Sequence, residues 1–160
     1  MTGPNLFPCP GMTHGKRTLV FIVENKTTHD LCKPWVSVPV NDQDLSEGFN
    51  YINFGQFNNY AAQWLHKNLP QTDQPFQCLA YAGPKDLRYP ILALAAAKLQ
   101  KVLVLPSPLI TVDAQARILD AKNCALYLRP SSIATYVDSI IKETPHVQAM
   151  SVPDTDEFMN

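Results

Sequence analysis

Phe54, Phe57, Ala61, Trp64 and Leu65 recur at helical spacing, with Asn53 placed to cap the start and Pro70 beyond the end. Before this helix, segment 17–28 reads as an amphipathic helix. Segment 35–40 then alternates with β-forming residues, segment 41–48 is a polar turn, and segment 51–53 returns as a short strand, so a small hairpin is predicted. After Pro70 the pattern settles into alternation: strand 76–81, helix 87–99, strand 102–105, helix 112–122, strand 125–128, helix 133–142 and a last strand at 147–152. Ile133, Tyr136, Val137, Ile140 and Ile141 form one apolar stripe, while Thr135, Asp138, Ser139, Lys142 and Glu143 hold the wet face. Segment 91–97 is apolar all round and alanine-rich, which suits a helix covered on two sides. Pro90 makes residues 86–89 a lead-in turn to that helix, because the hydrogen-bond ladder must begin close to the proline. Strands separated by helices of this length pair in parallel through right-handed crossovers, so the predicted class is α/β.

Composition narrows the classes. The 160 residues, 46% hydrophobic and 17% charged, suit one soluble domain that builds its core without disulfides or metal. Thirteen basic against fourteen acidic residues give net charge −1, too little positive field to gather phosphates along a nucleic acid. The longest apolar run, 91–97, has seven residues, far short of the roughly 20 of a membrane-spanning helix. Lys16 and Arg17 precede an apolar run at 19–23 in the order a secretory signal uses, but Glu24 ends it after five residues, short of the roughly 7 to 15 required. Segment 1–15, with Pro4, Pro8, Pro10 and three glycines, reads as a tail. Cys9, Cys32, Cys78 and Cys124 stand 23, 46 and 46 residues apart and form no C-x-x-C pair, which is the usage of reduced thiols in a cytosolic protein.

In a parallel sheet of this kind ligands gather beyond the carboxyl ends of the strands, so three loops carry candidate chemistry: 82–86, 106–111 and 129–132. A phosphate cradle needs successive inward N–H groups and glycines that reach unusual dihedrals. The last of the six glycines is Gly83, and Pro84, Pro106, Pro108 and Pro130 remove donors where cradles would be. Neither G-x-G-x-x-G nor G-x-x-x-x-G-K-[ST] is present. The best remaining anion site is Arg129 with Ser131 and Ser132 at a helix start, although Ser132 also has the ordinary use of a helix cap. Lys85 and Asp86 either face a cleft or serve the turn. His29 and Cys32 have the spacing of half a metal site with no second half, and His66 and Lys67 complement a helix dipole. Asp154, Asp156 and Glu157 read as a solvated acidic tail. His14, His29, His66 and His146 lie in no nucleophile elbow, and no triad assembles.

Several stretches carry a resemblance. Ile52-Asn53-Phe54-Gly55-Gln56-Phe57 is similar to the first core motif of adenylation domains. Segment 79–98, and within it Gly83-Pro84-Lys85-Asp86-Leu87-Arg88-Tyr89-Pro90, resembles a region of fungal nonribosomal-peptide-synthetase-like enzymes, as do Leu105-Pro106-Ser107-Pro108 after it and Val36-Ser37-Val38-Pro39 with Gly48-Phe49 before it. The resemblance runs from about residue 16 to about residue 158. The family it points to is that of the AMP-dependent synthetases and ligases, whose members activate a carboxylic acid with ATP to an acyl-adenylate and pass it to a carrier thiol. Their phosphate loop, ribose-binding aspartate and lid lysine have no matching position here. Where the second core motif of the family reads Lys-Ala-Gly, this chain has Lys98-Leu99-Gln100; a glutamine fits a left-handed helix stop less well, at a cost of about 1 kcal/mol or a shifted turn.

The resemblance implies that residues 16–160 are the truncated N-terminal subdomain of an adenylation domain: a mostly parallel sheet with helices on both faces plus a small N-terminal β-hairpin, located in the cytoplasm. It further implies no catalytic, cofactor-binding or metal residues of the chain's own, ATP and Mg²⁺ being needed by the complete family enzyme. The expected partner is the missing remainder of the domain or a separately encoded synthetase, with no nucleic acid and no membrane. In an alternative reading the chain is a non-catalytic protein that docks on a separate adenylating enzyme.

Overall fold

A computed structural model of the chain describes residues 18–68, 76–107 and 109–155, with no account of the side chains of 65–68. The tail expected at 1–15, Pro70, Pro108, Asp156, Glu157 and the side chains of Leu65, His66 and Lys67 lie outside the described residues. These residues fall into two compact units that divide between Phe54 and Gly55.

The first unit holds α1 (Leu19–His29), β1 (Pro34–Pro39) and β2 (Phe49–Asn53). Thr18 begins α1 by accepting a 3.2 Å hydrogen bond from the Phe21 N–H, so the helix starts slightly later than its apolar pattern suggests. β1 and β2 pair antiparallel as the expected hairpin, with Trp35 the extra residue of a bulge. Gly48, at φ +88°, takes the chain out of the intervening loop into β2, a conformation that favours glycine. Thr27 Oγ1 donates to Val23 O at 2.8 Å, and Phe54 N–H donates to Lys33 O at 3.3 Å, tying the end of β2 to the start of β1.

The second unit begins in α2 (Phe54–Asn68), whose Phe57, Ala61 and Trp64 are buried at helical spacing. It continues through β3 (Cys78–Tyr81), α3 (Arg88–Lys98), β4 (Val102–Val104), α4 (Val112–Ala121), β5 (Cys124–Arg129), α5 (Ala134–Glu143) and β6 (Gln148–Ser151). β3 to β6 form one four-stranded parallel sheet in the order β4-β3-β5-β6. The connection through α3 leaves β3 in one direction and those through α4 and α5 run in the other. Right-handed crossovers therefore put α3 on one face and α4 and α5 on the opposite face. Beneath the latter pair Ala80, Ala82, Tyr127, Leu119, Val137 and Ile140 form a buried cluster. The alternating positions Leu79, Tyr81, Leu126 and Leu128 are buried on the other face. Along 91–97 only Ala97 is exposed, as a helix covered on more than one side requires.

Most boundaries shift by one or two residues from the pattern, and three of the differences have a clear local reason. The strand expected from residue 76 starts at Cys78, because Phe76 takes a left-handed conformation (φ +61°) that no strand accommodates. α5 begins at Ala134, because Ser131–Ile133 form a 3-10 turn ahead of it. Pro90 lies inside α3, in its first turn, and the ladder opens directly after it with Ile91 N–H donating to Leu87 O at 3.1 Å.

At the end of α3, Gln100 adopts φ +56°, the left-handed stop that the family motif fills with glycine. Lys101 N–H donates to Ala96 O at 2.8 Å and Gln100 N–H to Ala97 O at 3.2 Å, the paired bonds of a Schellman cap. The turn is therefore unshifted and the side chain bears the strain. Asn123 stops α4 in the same conformation (φ +48°), which asparagine tolerates better. Replacing Gln100 by Gly is expected to stabilise the fold by about 0.5 to 1 kcal/mol, read as a higher urea midpoint with an unchanged slope.

Candidate functional site

β3 and β5 are neighbours whose onward connections part in opposite directions, so the loops after them border the crevice where such sheets place ligands. The loop after β4 lies one strand away and is held elsewhere. Its Ser107 O accepts from Gln115 Nε2 at 3.1 Å, and fully buried Gln115 also receives the Tyr127 hydroxyl at 2.8 Å and bonds the Tyr136 hydroxyl at 2.6 Å. The Tyr136 hydroxyl in turn donates to Ile110 O at 3.3 Å. This network fixes the proline-rich loop against α4, α5 and β5.

At the crevice the central group is Arg88, whose side chain is only 5% exposed. Asp86, two residues earlier, accepts from the Arg88 N–H at 2.9 Å, from Nε at 3.1 Å through each carboxylate oxygen, and from Nη2 at 2.6 Å. Arg88 Nη1 then reaches the segment after β6, donating to Pro153 O at 3.3 Å and to Asp154 Oδ1 at 3.2 Å. The hydrogen bonds that Arg88 donates to Asp86 raise the Arg88 pKa above its already high ordinary value, so the guanidinium stays charged. Asp86 thus serves the turn and the ion pair at once, while Lys85 is exposed beside it.

Two tyrosines shape the same loop. The Tyr81 and Tyr89 rings meet edge to face with centroids 4.9 Å apart, and the Tyr89 hydroxyl donates to Gly83 O at 3.1 Å. A Cβ on Gly83 would collide with the Tyr81 hydroxyl, so glycine is required there for close approach and not for a phosphate. The Tyr81 hydroxyl is buried with no hydrogen-bond partner among the described residues, and burial pushes its pKa far above the usual phenol value, only partly offset by Arg88.

The anion site expected from Arg129, Ser131 and Ser132 does not assemble as such. Arg129 Nη2 is paired with Asp138 Oδ1 of α5 at 3.1 Å, while its buried Nε has no hydrogen-bond partner among the described residues. Ser132 lies within the 3-10 turn, the residue preceding α5 is Ile133, and no side chain caps that helix, which corrects the expectation of a Ser132 cap. Ser131 and Ser132 are both exposed, and Ser131 joins Ser151, Val152, Pro153 and Asp154 in lining an open groove of about 350 Å³. Of the charged residues only Asp154 lines this groove. At the crevice one guanidinium, Arg88, faces two carboxylates, Asp86 and Asp154, and counting Lys85 brings these loops only to neutrality. A triphosphate carrying Mg²⁺ needs surplus donors and cationic charge, and these residues do not fit it. Among the described residues no three His, Cys, Asp or Glu side chains group as metal ligands, and His29 and Cys32 are both exposed. No described helix is long and apolar enough to cross a membrane. Sequence reasoning missed the reach from Arg88 to Asp154, for which spacing gives no signal across 66 residues.

No protein-family model matches the chain. It is 25% identical over 150 residues to a carboxylic acid reductase of Neurospora crassa, covering 91% of this chain and 14% of that protein. Among solved structures it is similar to the adenylation domain of the carboxylate reductase of Mycobacterium chelonae (TM-score 0.65, 17% identity), covering 93% of this chain and 24% of that one. It is likewise similar to the anthranilate CoA ligase AuaEII in complex with anthranoyl-AMP (TM-score 0.64, 14% identity), covering 88% and 25%. The A-PCP didomain of the Segniliparus rugosus carboxylic acid reductase, in complex with AMP, aligns at TM-score 0.64 and 14% identity over 82% of this chain and 20% of that one. The fold is thus that of part of an adenylation domain. In sequence and structure the chain resembles the N-terminal part of adenylate-forming acid ligases and reductases, spanning about a seventh of the curated relative's length.

The buried ion pair gives an asymmetric expectation. Arg88→Ala empties the buried site of the guanidinium and removes the cation from Asp86, which is 26% exposed, and is expected to cost about 3 kcal/mol. Asp154→Asn, at a carboxylate that is 71% exposed, should cost less than about 1 kcal/mol. Urea denaturation of the two variants checks both, and equal losses would contradict the geometry.

Proposed function

We propose that this chain is the N-terminal scaffold of an adenylate-forming, nonribosomal-peptide-synthetase-like enzyme that, when complete, activates a carboxylic acid with ATP and Mg²⁺ to an acyl-adenylate in secondary metabolism. By itself the segment does not adenylate. The observation that carries this reading is the pairing of the crevice charges: Arg88 with Asp86 and Asp154, and Arg129 with Asp138. Acyl-adenylate formation requires several oriented donors on the transferring phosphoryl group, and a fully paired Arg88 with a single unpartnered N–H on Arg129 does not supply them. The role left to the chain is mechanical. It holds a parallel sheet whose strand-end loops are fixed in place, against which a separate phosphate-binding segment works.

ATP–pyrophosphate exchange on the isolated 160 residues, over a broad panel of carboxylic acids, is expected to stay at background. Acid-dependent exchange would overturn the reading.

A second reading, docking onto a separately encoded adenylating enzyme, is favoured by one feature. β4 is an edge strand, and Val102, Leu105 and Leu109 on and after it are 41%, 50% and 93% exposed. Co-expression with a cytoplasmic adenylating enzyme encoded nearby should yield a co-purifying pair that Val102→Lys with Leu105→Lys disrupts. Independent purification of both proteins would remove this reading.

A further inference from the structure

At the amino ends of the strands, opposite the crevice, β3 and β5 bring two cysteines together. Cys78 and Cys124 are directly paired residues of neighbouring parallel strands. Strand spacing puts such partners about 4.8 Å apart, inside the Cα separation that a disulfide spans. Whether the thiols share a face depends on a bulge. Ala80 pairs with Tyr127, and both side chains belong to the cluster beneath α4 and α5. Cys78, two residues before Ala80, points the same way. Cys124, three residues before Tyr127, would point to the opposite face if β5 were regular. The register instead steps from Cys78↔Cys124 to Leu79↔Leu126, leaving Ala125 as an extra residue. That residue turns Cys124 back into the cluster, where Cys78 packs against it.

The pair is reachable from one side. Cys124 is fully buried, whereas Cys78 is partly exposed, and both line a cavity of about 370 Å³ with Lys122, Asn123, His146 and Phe76 at its walls. Lys122 gives the opening a cationic group suited to an anionic visitor. We propose that Cys78 and Cys124 form a cross-strand dithiol, converted to an intramolecular disulfide by exchange with a small anionic disulfide of the oxidised-glutathione class entering this cavity.

The chemistry balances in two steps. The Cys78 thiolate attacks one sulfur of the small disulfide, forming a mixed disulfide and expelling one thiolate, which takes up the proton Cys78 lost. The Cys124 thiolate then attacks the Cys78 sulfur, forming the Cys78–Cys124 bond and expelling the second small thiolate, which takes up the proton from Cys124. Two protein thiols are oxidised and one small disulfide is reduced to two thiols. The order follows from access. Burial, with the neighbouring Cys78 thiol adding to it, pushes the Cys124 thiol up to about 12, so Cys124 is a poor first nucleophile. Once Cys78 is in a mixed disulfide, its contribution to that shift is gone, and the electrophilic sulfur has been carried to Cys124 inside the fold.

The test uses the full chain with Cys9→Ser and Cys32→Ser, leaving two thiols, and the wild-type chain in parallel. Each is incubated with oxidised glutathione at mildly alkaline pH and followed by intact mass and peptide mapping. For the two-thiol chain the expected product is a monomer that has lost two hydrogens, carries no adduct and yields a peptide cross-linked between Cys78 and Cys124. In the wild-type chain the same cross-link forms with any adduct confined to Cys9 and Cys32; dithiothreitol reverses it. Adding Cys124→Ser should instead trap a stable glutathione adduct on Cys78. A persistent adduct on Cys78 with Cys124 intact, or no reaction at Cys78 while Cys32 of the wild-type chain is fully modified, would overturn the proposal.

Discussion

A guanidinium withdrawn from water organises the carboxyl end of this sheet. Arg88 is buried at the first turn of α3, and an unmatched charge there would cost several kcal/mol. Asp86 matches it locally through a forked set of hydrogen bonds, while Pro153 O and Asp154 match it from the far end of the chain. The Arg88–Asp86 pair therefore solves two problems: the Asp86 carboxylate takes the Arg88 N–H where α3 opens next to a proline, and the guanidinium ties the segment after β6 to the loop after β3. The same bonds use up the positive charge that a nucleotide's phosphates would seek.

The strand order gives the two ends of the sheet different characters. At the carboxyl end, opposite crossovers from β3 and β5 open a crevice whose loops are set by Gly83, Tyr81 and Tyr89 and by the Arg88 pairings. At the amino end a single inserted residue, Ala125, rotates Cys124 into the company of Cys78. Neither feature belongs to one element. Each exists because β3 and β5, separated in sequence by a helix, a strand and a second helix, become neighbours.

Most of the fold was legible because its signals are local. The stripe at Ile133, Tyr136, Val137, Ile140 and Ile141 predicts α5, and the structure buries Val137 and Ile140 from it. The stop at Gln100 was legible for the same reason, because a left-handed helix end acts within one turn. Where prediction shifted, a neighbouring backbone conformation intervened, as with the left-handed Phe76 ahead of β3 and the 3-10 turn ahead of α5. The candidate site was less legible. Arg129, Ser131 and Ser132 look like an anion site when read in a row, but the partner that neutralises Arg129 is Asp138, on the next helix.

By itself the sequence determined the α/β class, the alternation of strands and helices, the hairpin and the resemblance to adenylation domains, since periodicity, turn chemistry and short motifs reside in contiguous residues. The tertiary structure alone decided the order β4-β3-β5-β6, the reach of Arg88 to Asp154 and the meeting of Cys78 with Cys124. These depend on which strands become neighbours and in which register, a choice made by packing between segments distant along the chain, where spacing carries no information.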